Sequence, residues 1–334
     1  MKMMSTHNNM KDRFGREIKY LRVSVTDRCN FRCKYCMPTT DFKCLQHENI
    51  LSYEELLFAV DVFCSLGVKK VRVTGGEPLV RKGIGSFLEG LGKMEKLEEV
   101  TLTTNGALLK EFTEQIKSAG IQRVNVSLDS LQEERYKDIT GGFKLEKIID
   151  SIKHVQRAGI GPVKTNMVVI KGYNDDEILD FCEFSAKNRI ITRFIEFMPV
   201  GNFSEWKEEN ILFGKDILEI IKSKYDLKQT QKTRLGGPAQ NYELSNGAMI
   251  GIITPISNHF CSECDKLRLT SDGKLRPCLL SDAEIDLVPS IKNQDRNALI
   301  EAIEEGLNIK DQEHKVLLEK RNDGYKRTMS KIGG

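Results

Sequence analysis

The chain has 334 residues, 40% of them hydrophobic and 30% charged, with a formal net charge of +3. That composition suits a chain that buries a sizeable core, and so small a charge gives little support to nucleic acid or any other polyanionic partner. The first twenty residues hold no apolar stretch like a signal peptide, and no run is long enough to cross a bilayer, so a cytosolic protein with no membrane partner is expected.

Residues 1–18 read as an N-terminal arm. From residue 21 to 198, β-branched runs alternate with helical patterns. Strands are expected at 21–26, 69–74, 99–104, 122–128, 163–170 and 191–197, and helices near 52–66, 84–97, 108–119, 145–158 and 175–188. Ser52 followed by Glu55 forms a capping-box signature, and Gly67, Gly120 and Gly159 stand where helices stop. Alternation with short connections predicts a parallel sheet with right-handed crossovers. Six such units could close as a partial barrel or open as a doubly wound sheet. The barrel is favoured because the reactive-looking residues all follow strands, which a parallel barrel gathers at one face. Beyond residue 205 the rhythm changes, with a helix expected at 211–225, a polar glycine-containing stretch at 231–244, short strands, and a charged helical region at 292–321. The expected architecture is therefore a partial (β/α)6 barrel over residues 19–225 and a smaller α+β extension over 226–334, whose last residues read as a flexible tail.

Nine cysteines are too many and too clustered to ignore, and their odd number with a reducing compartment argues against a disulfide framework. Cys64 and Cys182 lie in helical patterns and read as inert buried thiols, and Cys44 stands apart. The other six form two triplets. Cys29, Cys33 and Cys36 give C-x3-C-x2-C just after the first strand, and Cys261, Cys264 and Cys278 give C-x2-C-x13-C. Zinc normally takes four protein ligands in a structural site, which His47 or His259 would have to complete. A [4Fe–4S] cluster also normally takes four cysteines, so three leave one iron open to a small molecule.

CNFRCKYC carries a family resemblance, including Tyr35 just before the third cysteine. It resembles the signature of radical S-adenosylmethionine (SAM) enzymes, in which the open iron chelates SAM. The resemblance implies that a reduced cluster cleaves SAM to a 5′-deoxyadenosyl radical that abstracts hydrogen. Thr74-Gly75-Gly76-Glu77-Pro78 is similar to the GGEP motif of that family, and Gly76, Glu77, Tyr35, Ser127 and Met198 match its SAM contacts.

Within that superfamily the chain resembles the GTP 3′,8-cyclase family of molybdenum cofactor biosynthesis. The likeness runs through DRFGR (12–16), YLRVSVTDRCNFRCKYCMP (20–38), VRVTGGEPLVR (71–81), TTNG (103–106), RFIEFMP (193–199), the FCxxCDxLRLTxDG stretch (260–273) and the final Gly333-Gly334. It implies a second [4Fe–4S] cluster on Cys261, Cys264 and Cys278 with its open iron toward the substrate. It further implies a GTP site made by Arg22, Arg72, Thr103, Lys164, Arg193, Lys266 and Arg268. Basic residues alternating with apolar ones on barrel strands are costly unless they meet an anion, which agrees with a triphosphate. Lys266 stands where the family commonly has arginine; the charge is kept, but the planar fork is lost, so somewhat weaker GTP binding is expected. The diglycine is expected to reach toward the active site. The resemblance also implies an electron donor such as a flavodoxin or ferredoxin, a homodimer, and delivery of product to cyclic pyranopterin monophosphate synthase. Two other readings stay open: a different radical SAM enzyme with an auxiliary cluster, such as a peptide modifier, or a metal-binding or electron-carrying module.

Overall fold

The computed structural model describes residues 10–37, 43–198, 200, 208–231, 237–313 and 327–333. Pro38, Pro199 and Gly334, named in the motifs above, lie outside them. Strand–helix alternation holds through the first two thirds. In chain order come β1 (Tyr20–Ser24), α1 (Tyr53–Ser65), β2 (Lys70–Thr74), α2 (Ile84–Gly92), β3 (Glu99–Thr104), α3 (Thr113–Ser118), β4 (Arg123–Ser127), α4 (Glu133–Thr140), α5 (Leu145–Arg157), β5 (Lys164–Val169), α6 (Ile178–Asn188) and β6 (Ile191–Glu196). They are followed by α7 (Gly214–Lys222), β7 (Leu227–Gln229), β8 (Gln240–Leu244), β9 (Met249–Ile253), β10 (Lys266–Leu269), β11 (Lys274–Arg276), β12 (Ile285–Asp286), α8 (Val288–Lys292), α9 (Arg296–Asn308) and α10 (Met329–Ile332).

The capping box forms as the sequence predicts. The Glu55 amide donates to Ser52 Oγ, and the Ser52 amide donates to the Glu55 carboxylate. Such a cap is worth about 1 kcal/mol to a helix. Helix α1 then buries Leu56, Ala59, Val60, Val62 and Phe63 against the sheet. Truncating one of these, such as Phe63→Ala, would cost about 3–5 kcal/mol through lost contacts and the cavity left behind.

The strands form one twelve-stranded sheet in the order β12-β11-β10-β1-β2-β3-β4-β5-β6-β9-β8-β7. From β10 to β9 neighbouring strands run parallel. The segment after residue 225 does not build a sheet of its own. It adds β9 and β8 beside β6, and β10 and β11 beside β1, so it completes both edges of the core. Adjacent strands lie about 4.8 Å apart, so six spacings from β10 to β6 would put Arg268 and Arg193 about 29 Å apart on a flat sheet. Both line one cavity, so the sheet curves into a partial barrel.

Three expectations are corrected. Helix α4 falls in a stretch with no expected element, because its sequence EERYKDIT is strongly polar and only Tyr136, Ile139 and Thr140 are buried. The polar stretch at 231–244 ends as strand β8, held by antiparallel pairing to β9 rather than by its own propensity. The tail is not loose where described: Ile332 is 1% exposed, and Arg327 ion-pairs with Asp272 and Glu284 at 2.9 and 2.7 Å. Among the described residues no helix is long and apolar enough to cross a membrane.

Candidate active site

The loop after β1 carries the first triplet, and the GGEP turn after β2 lies directly upon it. The Gly76 amide donates to Thr26 O at 2.7 Å and the Glu77 amide to Arg28 O at 2.8 Å. A Cβ on Gly75 would come within 2.6 Å of Thr26 O, and one on Gly76 within 2.4 Å of Arg28 O. Only glycine permits this approach, and what it approaches is the cysteine loop itself, a closer constraint than the ligand contact expected from sequence.

Other strand ends steady the same loop. The Arg32 and Lys34 amides donate to Thr140 O and Ile139 O at the end of α4, and Arg32 Nη1 donates to Cys29 O at 2.6 Å. Asn105, from the TTNG turn after β3, donates to Asn30 Oδ1 at 2.7 Å and lies 3.7 Å from Cys29 Sγ. Tyr35 donates its hydroxyl to Asp129 at 2.7 Å, and Asp129 also accepts the Val168 amide. Burial pushes the Asp129 carboxyl up to about 6.

Glu77 lies apart from its expected role. Its carboxylate is fully buried and accepts from the Leu79 amide, the Asn105 amide and Thr104 Oγ1. Burial nevertheless pushes it up to about 7. In this arrangement the side chain organises the turn, while Gly75 and Gly76 line the cavity.

The second triplet reaches the same cavity because β10 pairs with β1. Residue Arg268 stands opposite Arg22, and Arg22 opposite Arg72, so three guanidinium-bearing positions share one register across β10, β1 and β2. Cys261 and Cys264 precede β10, and Cys278 follows β11. The cavity, about 330 Å³, is lined by all six clustered cysteines together with Tyr35, Gly76, Ser127, Met198, Arg22, Arg72, Thr103, Arg193, Lys266 and Arg268. Lys164, Gly333 and Glu77 do not line it. Gly333 accepts a hydrogen bond from Arg268 Nη1 at 2.7 Å, and the Ser330 backbone lies near enough to Cys36 to oppose the effect of burial on its thiol, so α10 touches both triplets' surroundings. His259 lines the cavity near the second triplet, whereas His47 is exposed and does not.

The electrostatics are those of a site built for an anion. Burial and then neighbouring Arg72 push Arg193 down to about 9, and burial pushes Arg268 down to about 10. Burial followed by Arg193, Arg123, Lys70 and Arg72 pushes Lys164 down to about 7. Tyr20 OH, Thr103 Oγ1 and Asn166 Oδ1 are buried on the cavity wall without a hydrogen-bond partner among the described residues. Buried polar atoms left unpaired by the protein are ones a ligand can satisfy.

Among the described residues no three His, Cys, Asp or Glu side chains gather as a ready-made site for a single metal ion, and the triplets' thiols are shaped chiefly by burial. Burial pushes Cys29 up to about 11 and Cys36 up to about 12, and Cys33 feels both. Thiols in such surroundings ionise when a bound metal supplies positive charge. By contrast Cys64 and Cys182 are buried in helices, as expected, and do not line the cavity.

Sequence reasoning missed several members of this wall. Asn105 sits within the TTNG motif, and Asp129 directly follows the expected strand at 122–128, so position at a strand end could have flagged both. Tyr20 opens the 20–38 motif without a role having been expected of it, and Asn166 has no signal; only the sheet's curvature brings them together.

Comparison with known proteins agrees with the geometry. Residues 23–185 match the family model described as Radical SAM superfamily, and residues 190–316 match Molybdenum Cofactor Synthesis C. A cysteine triplet and a glycine turn at adjoining strand ends of a curved parallel sheet are what a radical SAM enzyme requires, and this chain is one. A curated GTP 3′,8-cyclase of Alkaliphilus oremlandii is 41% identical over 97% of this chain and 100% of its own length. One of Thermodesulfovibrio yellowstonii is 47% identical over 83% of this chain and 87% of its own. The chain belongs to the GTP 3′,8-cyclase family. Its fold alone is shared with Streptococcus suis SuiB crystallised with S-adenosylmethionine, at a TM-score of 0.62 and 15% identity, covering 86% of this chain and 68% of that one.

Proposed function

We propose that this chain is a GTP 3′,8-cyclase that performs the first step of molybdenum cofactor biosynthesis. On the substrate, a hydrogen atom is removed from ribose C3′, the C3′ radical joins guanine C8, and the resulting nucleotide radical takes up one electron from the one-electron donor and one proton to give 3′,8-cyclo-7,8-dihydro-GTP. The observation that carries this reading is one cavity lined at once by two cysteine triplets and by Arg22, Arg72, Arg193 and Arg268.

Cys29, Cys33 and Cys36 would hold a [4Fe–4S] cluster whose open iron takes SAM and, when reduced, supplies the hydrogen-abstracting radical. Tyr35, Gly76, Ser127 and Met198 line the space beside it, and Glu77 keeps the GGEP turn in shape. The guanidinium row on β10, β1 and β2, with Arg193 from β6, offers fixed cations to a triphosphate. Lys164 adds charge, and Thr103 offers a hydroxyl. Cys261, Cys264 and Cys278 would hold a second [4Fe–4S] cluster that orients the guanine, flanked by Lys266. Gly333, on Arg268, would bring the C-terminal diglycine to the substrate, and walls from β1 to β6 keep bulk water away from the radical.

The same proposal includes a one-electron donor of flavodoxin or ferredoxin type, a homodimer, and delivery of product to cyclic pyranopterin monophosphate synthase. Nine free thiols suit a reducing compartment, so the cytoplasm is proposed as its location. The division into a core over 19–225 and an extension over 226–334 is likewise proposed, as two parts of one continuous sheet.

Reduced protein supplied anaerobically with SAM and GTP should form 5′-deoxyadenosine and the cyclised nucleotide, with label transferred from GTP deuterated at C3′. Protein with intact clusters that forms neither product would refute the assignment. Metal analysis showing zinc at the second triplet would refute its cluster.

A further inference from the structure

Lys310 follows α9 and is 2% exposed. Its Nζ donates to Pro277 O at 2.5 Å and to Lys266 O at 3.1 Å, and lies 3.7 Å from Cys264 Sγ. All three partners belong to the segments that carry the second triplet. Lys266 is two residues beyond Cys264, and Pro277 immediately precedes Cys278.

No carboxylate pairs with this ammonium among the described residues. Lys266, by comparison, has Asp265 at 2.6 Å to balance its charge. A charge taken out of water costs several kcal/mol unless it is paired, and two neutral carbonyls do not pair it. Among the described residues, the remaining source of negative charge within hydrogen-bonding reach is the Cys264 sulfur and whatever it ligates. The same stretch of chain is fastened from the other side. Arg16, buried in the DRFGR motif, donates to Cys261 O at 2.8 Å, Gln312 O at 2.7 Å and Asp311 O at 2.6 Å. Its Nε is held by Asp12 at 2.5 Å. Residues 310–312 are thus tied into the triplet through Cys261 by Arg16, and through the neighbours of Cys264 and Cys278 by Lys310.

We propose that Lys310 is the positioning and charge-balancing residue of the second triplet. It fixes the two backbone segments that present Cys264 and Cys278, and it offsets negative charge on an iron–sulfur cluster held there. This rests on the second triplet being a cluster site. Reduction adds negative charge to a group that three thiolates already make anionic, so an adjacent fixed cation favours the reduced state and raises the midpoint potential.

The test uses the full-length chain with Cys29, Cys33 and Cys36 replaced by alanine, so that iron is held only by the second triplet. Lys310→Met, Lys310→Gln and Lys310→Arg are compared with that parent after anaerobic reconstitution. Iron and sulfide content and an EPR-monitored redox titration are measured. Lys310→Met and Lys310→Gln should each lower the midpoint potential by at least about 59 mV, a tenfold fall in the reduced-to-oxidised ratio for one electron. Lys310→Arg should recover most of it. Gln keeps a donor for the carbonyls without the charge, so a shift surviving in Gln reports charge, while iron lost from Met alone reports positioning. Should the Met variant not fold, Gln decides. Parent-like potential and iron content in the Gln variant would overturn the proposal with the cluster reading intact. A parent that binds no four-iron cluster would overturn both.

Discussion

The two cysteine triplets share a cavity but not an electrostatic setting. Around the first, neutral Asn105 stands beside Cys29, and the acidic Glu77 and Asp129 outweigh the one cation acting on these thiols, Arg32 on the Cys29 carbonyl. Around the second stand Lys310 and Lys266, with Arg268 on the adjoining strand. Burial acts on Cys264 too, yet Lys310 and then Lys266 bring that thiol below its ordinary value, the reverse of Cys29 and Cys36. The difference teaches how one barrel can hold two sites of similar ligand count for different work. With clusters bound as proposed, an acidic, low-dielectric surround would disfavour extra electrons at the first triplet, and a cationic surround would suit a second triplet that orients an anionic substrate.

The largest expected effect separates the triplets. Cys33→Ala should reduce 5′-deoxyadenosine formation by 10³-fold or more (on the order of the loss when a mechanism's reactive group is removed). Cys261→Ala should keep iron at the first triplet and still cleave SAM slowly, while forming no cyclised nucleotide. Equal loss of SAM cleavage in both variants would erase the functional distinction. Deleting Gly333 and Gly334 should come next: both clusters stay intact by iron content while cyclisation is lost. Full activity in the truncation would remove the tail from the chemistry and leave the Arg268–Gly333 hydrogen bond a structural contact only.

A smaller effect concerns the cationic side. Lys164 is lowered from 10.5 to about 7, so between those values the unfolded chain binds the extra proton and stability rises with pH. A bound triphosphate reverses the field and favours the charged amine. Binding of GTP at pH 8 should therefore take up a proton, seen by calorimetry as different heats in buffers of different ionisation enthalpy. Lys164→Met should abolish that difference; identical heats in the native protein would refute the linkage. The smallest effect is at Lys266. Lys266→Arg restores a bidentate fork and should tighten GTP binding by roughly 2- to 10-fold, a gain of up to about 1.4 kcal/mol. Weaker binding in that variant would show that the Asp265 pairing, or the Tyr20 and Phe260 rings beside the amine, want lysine.

Much of the site was legible because its chemistry is local. The triplet spacings, the Gly-Gly pair and the basic residues alternating along β1, β2 and β6 are all patterns within a few residues. Glu77 shows the limit: its motif was visible, but not that its carboxylate turns inward to Leu79, Thr104 and Asn105. Lys310 shows a deeper one. Nothing near it in the sequence distinguishes it from the other charges beyond α9, and its burial depends on Pro277 and Lys266 folding over it.

The sequence by itself determined which residues could ligate metal, where strands and helices alternate, and that reactive groups follow strand ends. Periodicity, turn chemistry and ligand spacing act over short stretches of chain, so one sequence displays them. Tertiary structure alone decided that β10 lies against β1, that Arg268, Arg22 and Arg72 fall in one register, and that a lysine near the end of α9 is buried against a cysteine more than forty residues earlier. Those choices come from how a curved sheet completes its edges and where buried charge can be balanced, sums over the whole fold that no short segment carries.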